Sequence, residues 1–134
     1  MKQIKELMVY KDGALIPSKL FYDIDDSSVQ LVFEGFDSGI IKSEIIYYAM
    51  QNLHSVLDGD EIKLLCNCFR YDIFPSRMAL SMGQGVKAYK IILGKQAKEL
   101  VDIFDSTSEI EAIVTVEEQQ RFIRKWGESL GAKF

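Results

Sequence analysis

Apolar and polar positions repeat with two periods along this chain. Through the first third the period is two. The segment "KQIKELMVYKDG" alternates charged and apolar residues and ends at Asp12-Gly13, which predicts a strand closed by a turn. "SKLFYDID" and "SVQLVFEGF" read as two further strands, joined through Asp25-Asp26-Ser27-Ser28. Side chains of that kind bond to nearby backbone and suit a tight bend. Val29, Leu31 and Phe33 share one face of the third segment; Gln30, Val32 and Glu34 share the other. The pattern predicts an antiparallel meander.

The period then becomes helical. In "SGIIKSEIIYYAMQNLHSVLDGD", Ile41, Ile45, Tyr48, Ala49, Leu53 and Val56 fall on one stripe. Asp37 or Ser38 suits the start as a cap and Gly59 the end. His54 is expected at the surface or half-buried. "EIKLLCNCF" is apolar on both faces and reads as a central strand. "KAYKIIL" and "ELVDIF" are strand-like, although "KQAKELVDIF" also fits a helix, and "SEIEAIV" is too short to assign. "TVEEQQRFIRKWGESLG" predicts a terminal helix that opens with a capping box, Thr115 with Glu118, and carries a stripe of Val116, Phe122, Ile123, Trp126 and Leu130. The sum is a single α+β domain over residues 1–134. It has a mainly antiparallel sheet, one long helix after the first three strands and a C-terminal helix packed on the sheet.

Composition narrows the function classes. The chain has 134 residues, 48% of them apolar, enough for one proper core. A net charge of −4 argues against a dedicated nucleic-acid binder and permits a basic protein partner. No apolar run reaches membrane-spanning length, and the first residues lack the continuous apolar core of a signal peptide, so the expected location is cytoplasmic.

Candidate chemistry is sparse. Cys66 and Cys68 are the only cysteines, and two thiolates do not fill a zinc site, so buried structural thiols are expected and no metal or cofactor is assigned. The stretch "FPSRMALSMGQGVKAYKI" invites comparison with a phosphate loop. Its Gly83-Gln84-Gly85 precedes a strand rather than a helix, the reverse of a dinucleotide fingerprint. It reads better as a short helix capped by Ser76, closed by Gly83 in the left-handed conformation and turned by Gly85. The connection is long, and Arg70, Tyr71, Arg77, Met78, Met82 and Gln84 mix the residue types enriched at interfaces. A second candidate contact set is acidic: Asp23, Asp25, Asp26, Glu34 and Asp37, read either as a solvated edge or as one negative patch that steers a basic partner. Neither Ser76 nor Ser81 has a base nearby in sequence, so no catalytic residue is assigned.

The run "LLCNCFRYDIFPSRMALSMGQGVKAYKI" resembles a family of small bacterial proteins in which an "LCNG"-like strand end precedes a "YPSGM…MGGG.KAY"-like segment. The similarity continues through "VDIFD" and "TVEEQQRFIRKW". Cys68, Arg77 and Gln84 stand where that pattern has glycine. Such proteins resemble immunity proteins of polymorphic-toxin or contact-dependent inhibition loci. The resemblance implies a non-enzymatic binding protein that occludes the active site of a cognate toxin domain; the net charge and the lack of a membrane-spanning run add the expectation of no direct nucleic-acid partner and no membrane. The alternative is a small enzyme or a nucleotide- or anion-binding domain using residues 70–87.

Overall fold

A computed structural model describes residues 1–131. The fold is α+β, as the two periods predict. Strands β1 (Lys2–Lys11), β2 (Ala14–Asp23) and β3 (Ser28–Phe33) form the antiparallel meander. Two short returns, β4 (Phe36–Asp37) and β5 (Ile41–Lys42), both pair with β3. Helix α1 spans Ile46–Gly59, and β6 (Lys63–Leu64) completes the sheet beside β1. A second, smaller sheet contains β7 (Ile73–Phe74), β8 (Lys87–Lys90) and β9 (Glu99–Asp102). Helix α2 (Arg77–Gly83) lies between β7 and β8, and α3 (Val116–Ser129) follows β9. Among the described residues no helix is long and apolar enough to cross a membrane.

Period-two patterning places Leu7, Val9, Leu20, Val29, Leu31 and Phe33 in one buried cluster with Ile46, Ala49, Met50, Leu53 and Leu57 of α1. Each fully buried aliphatic side chain contributes roughly 1.5–3 kcal/mol. This layer of sheet on helix is the main core.

Three expectations are corrected. The long helix starts at Ile46 instead of Ser38, because the chain from Phe36 to Lys42 first returns along β3. Ser38 serves that return: its Oγ accepts the Leu31 amide at 2.9 Å, and Gly39 turns the backbone at φ +72. With the start moved, the buried stripe becomes Ile46, Ala49, Met50, Leu53, His54 and Leu57; Tyr48 and Val56 are exposed. His54 is 2% exposed, deep in the fold and not at its surface. Finally, "EIKLLCNCF" supplies only a two-residue strand at the sheet edge, followed by a 3-10 turn at Asn67–Phe69. The apolar run is nevertheless buried, because segments after β9 cover it: Asn67 and Cys68 donate their amides to Asp105 and Ile103.

The 74–91 stretch behaves largely as its sequence suggests. Ser76 Oγ accepts the Ala79 amide at 3.1 Å and caps α2. The left-handed residue after the helix is Gln84 (φ 55), however, and not Gly83. Gly85 follows at φ +78, and a Cβ there would lie 2.5 Å from Tyr47 Cβ. Gly83 has a helical backbone and open space around it. The neighbouring glycines therefore respond oppositely to alanine. Gly85→Ala is expected to destabilise by about 2 kcal/mol or more, and Gly83→Ala to stabilise by up to about 1 kcal/mol. Urea unfolding of both variants checks the signs; equal effects would refute the assignment.

Candidate functional site

The residues singled out in the sequence do not assemble into one surface. Asp23, Asp25 and Asp26 sit at the β2–β3 turn, where Asp23 Oδ1 accepts the amides of Asp25 and Asp26. The Met1 amine lies 2.9 Å from Asp25, and Lys42 lies 2.6 Å from Asp26. Glu34 occupies the turn at the opposite end of the six-residue β3, a span of about 20 Å at roughly 3.3 Å per residue. Asp37, in β4, accepts bonds from Gln30 Nε2 and the Gly39 amide, both 2.8 Å, which hold its carboxyl below the ordinary carboxylate range. The acidic set is thus divided between two ends of the sheet, and most of it is engaged locally.

The second set is divided too. Arg70 is 5% exposed and points inward. Its Nε and Nη2 form a bidentate pair with Asp72 at 2.8 and 3.0 Å, and Nη1 donates to Thr107 Oγ1 and lies 3.3 Å from Glu109. The Asp72 carboxylate raises the guanidinium above its ordinary value. Tyr71 meets Phe122 of α3 edge-on at 4.7 Å. Gln84 caps α1: its Oε1 accepts the Ile46 amide at 3.2 Å and its carbonyl accepts the Tyr47 amide. Only Arg77, Met78 and Met82 stand on the surface, all on α2. Lys87 pairs with Asp102 at 3.4 Å, so the cations of residues 70–87 diverge instead of converging on an anion. Cys66 and Cys68 lie in the core, where burial pushes the Cys66 thiol up to about 12 and the Cys68 thiol up as well.

The concave site with converging polar groups lies elsewhere, where the C-terminal end of α1 meets the start of α3. A cavity of about 420 Å³ is lined by His54, Asp58, Glu61, Lys63, Glu111 and Glu118, with Phe69 behind His54. Four carboxylates face one ammonium. Carboxylates at the C-terminal end of a helix oppose its dipole. Asp58 is compensated across the cleft: its Oδ2 accepts the Val116 amide at 2.9 Å, capping the first turn of α3. Thr115 and Glu118 complete that cap, and the bonds from Thr115 lower the Glu118 carboxyl.

His54 anchors the floor. Its ring stacks on Phe69 at 4.2 Å, and Nε2 lies 2.7 Å from the Val114 carbonyl. A carbonyl only accepts, so Nε2 carries the proton and Nδ1 is the bare nitrogen. Nδ1 is buried without a partner. Burial lowers the imidazole's proton affinity; the Val114 carbonyl and Asp58, 3.7 Å from Nε2, oppose that shift without reversing it. The signal for this cleft was present in "VLDGDEIK" and "SEIEAIVTVEE" as acids flanking both helix ends. Nothing in local spacing shows that the two runs meet.

Two predictions follow from these geometries. Because His54 binds a proton more weakly folded than unfolded, stability is full above the unfolded value of about 6.5 and declines as pH falls below it. Thermal melts between about pH 7.5 and about pH 5.5 should show that decline in the parent protein and a smaller one in His54→Phe, by up to about 1.4 kcal/mol per pH unit; parallel profiles would refute it. For the buried pair, Asp72→Ala leaves a guanidinium without its main partner and should cost about 3–5 kcal/mol. The double change Arg70→Met, Asp72→Leu should cost less by urea unfolding, and a fully stable Asp72→Ala would show that Arg70 is not held as described.

Comparison with models of known protein families and with curated proteins finds no match to this chain.

Proposed function

We propose that this chain is a cytoplasmic, non-enzymatic binding protein of the immunity type, which neutralises a cognate toxin domain by covering its active site. One observation carries the reading: Asp58, Glu61, Glu111 and Glu118 surround a single concave site with, among the described residues that line it, only Lys63 in opposition. A nuclease-like active site is rich in cations, and a preformed acidic concavity complements it without any reaction. The sequence resemblance over residues 64–91 points the same way. In this reading the α1–α3 cleft takes the role first considered for the β2–β3 turn. Asp25 and Asp26 have nearby positive partners and contribute less field at a distance.

Occlusion needs rigid anchors, and the cleft has them. Asp58 and Glu118 are fixed by the amides they accept, while Glu61 and Glu111 remain exposed at the rim. Rim charges act mainly on association rate, so their effect should fade as salt shortens the Debye length.

The test is to read the neighbouring gene for a toxin domain, which this reading expects there, and to co-purify the chain with it. A tight complex is expected, with Glu61→Lys and Glu111→Lys together slowing association at least about tenfold at low salt and much less at high salt. Absence of a complex with the neighbouring toxin domain would overturn the reading. A complex whose association rate ignores both substitutions would move the interface away from this cleft.

A further inference from the structure

The cations of this acidic chain are unevenly placed. Residues 73–98 hold Arg77, Lys87, Lys90, Lys95 and Lys98 and no Asp or Glu, while the other residues hold the remaining 11 of 16 cations and all 20 acids. The structure gathers much of this positive run at one place, the connection between β8 and β9. Lys90, Lys95, Lys98, Ile92 and Gln96 line a concavity of about 610 Å³, with Glu99, opposite Lys90 on the neighbouring strand, as its one acid.

The same connection exposes large aliphatic side chains. Lys95 donates its amide to the Ile92 carbonyl, closing a turn with Gly94 at φ +77. Ile92 is 55% exposed and Leu93 40%, and Leu100 just beyond is 55% exposed. The turn is held down on α3 at two points: Trp126 Nε1 donates to the Lys95 carbonyl at 2.9 Å, and the Gly94 amide donates to Ser129 Oγ at 2.8 Å. Apolar residues thus crown an ordered turn, with lysines on either side of it.

We propose that this turn is a docking surface for an anionic membrane, with lipid phosphates held by Lys90, Lys95 and Lys98 and with Ile92 and Leu93 entering the acyl boundary. Charge complementarity selects an anionic occupant. The exposed groups are aliphatic, whereas single-stranded nucleic acid is held on aromatic faces that stack its bases, and a duplex backbone gives exposed aliphatic side chains nothing to enter. A turn with an apolar crown and a cationic collar matches a planar interface, where burial of apolar groups and attraction to anionic headgroups act together. The half-buried indole of Trp126, bonded to the same turn, suits the headgroup level. The surface is distinct from the α1–α3 cleft, so the two can act independently; it departs from the sequence expectation of no membrane partner, whose ground was the lack of a spanning segment, because peripheral docking needs none.

Trp126 is the only tryptophan, which makes its fluorescence a local probe. The whole protein is mixed with vesicles of phosphatidylcholine alone and of phosphatidylcholine with phosphatidylserine, and binding is read by co-sedimentation and by the Trp126 emission. Binding with a blue shift is expected only with the anionic vesicles, with quenching by lipids brominated on their acyl chains. Each of Lys90→Gln, Lys95→Gln and Lys98→Gln should weaken binding by about fivefold, and Ile92→Asp with Leu93→Asp should abolish it while the melting temperature is kept. Raising salt from about 0.1 M to about 1 M should release the protein. Absence of co-sedimentation with either vesicle overturns the proposal. So does binding of soluble polyglutamate or single-stranded DNA that Ile92→Asp leaves unchanged, since that outcome assigns the lysines to a soluble polyanion.

Discussion

The amide of Ile46 is satisfied by a carboxamide 38 residues further along the chain. A helix leaves its first amides without internal partners, and a helix that starts in the interior has no water to supply them. Helix α1 begins after Ile45, a residue with no side chain to cap it. Gln84 answers that need with both its side chain and its carbonyl, and Ser27 Oγ donates to the same Oε1 at 3.2 Å. One residue thereby joins the β2–β3 turn, the long helix and the end of α2. To present its carbonyl and side chain to α1, the backbone at Gln84 lies in the left-handed region, and Gly85 must then pass against Tyr47 with no room for a Cβ.

The same device recurs at the other helix. Asp58, near the C-terminal end of α1, caps the first turn of α3, and its neighbour His54 bonds the carbonyl of Val114 just before it. The two helices are therefore fastened through polar groups as much as through packing. Helix α3 is seated likewise. The most deeply placed long side chain on it is Gln119, whose Nε2 donates to the carbonyls of Cys68 and Arg70. Phe122 and Trp126 continue the same seam against Tyr71 and Phe74. The irregular backbone of residues 66–72 has its polar groups met by side chains and loops instead of a long strand partner, which is how Leu64, Leu65, Cys66, Cys68 and Phe69 are buried without forming a central strand.

These fasteners leave the charges sorted by region. Carboxylates collect where α1 ends and α3 begins, two of them held by amides of the α3 cap. Lysines collect around the β8–β9 connection on the smaller sheet. Each group is concave and each has exposed members, so the protein presents two surfaces of opposite sign. Arg70 belongs to neither, because Asp72 and Thr107 hold it inside.

Local chemistry alone determined the meander, the Ser76 cap, the Thr115 and Glu118 box and the α+β class. Alternation, capping residues and turn residues act over a few positions: both caps close within three residues, and the β1–β2 pairing starts at the Asp12-Gly13 turn and extends from it in register. Only the tertiary structure decided the start of α1, because the residues before it had a sheet edge to pair with, and pairing with β3 depends on a partner outside the window. The same holds for the depth of His54, the inward turn of Arg70 and the meeting of two acidic runs at one cleft. For His54 and the acidic cleft the deciding partner lies more than 30 residues away, at Val114 and across the α1–α3 junction, and Arg70 adds the distant Thr107 to its near partner Asp72; no periodicity records a contact of that range.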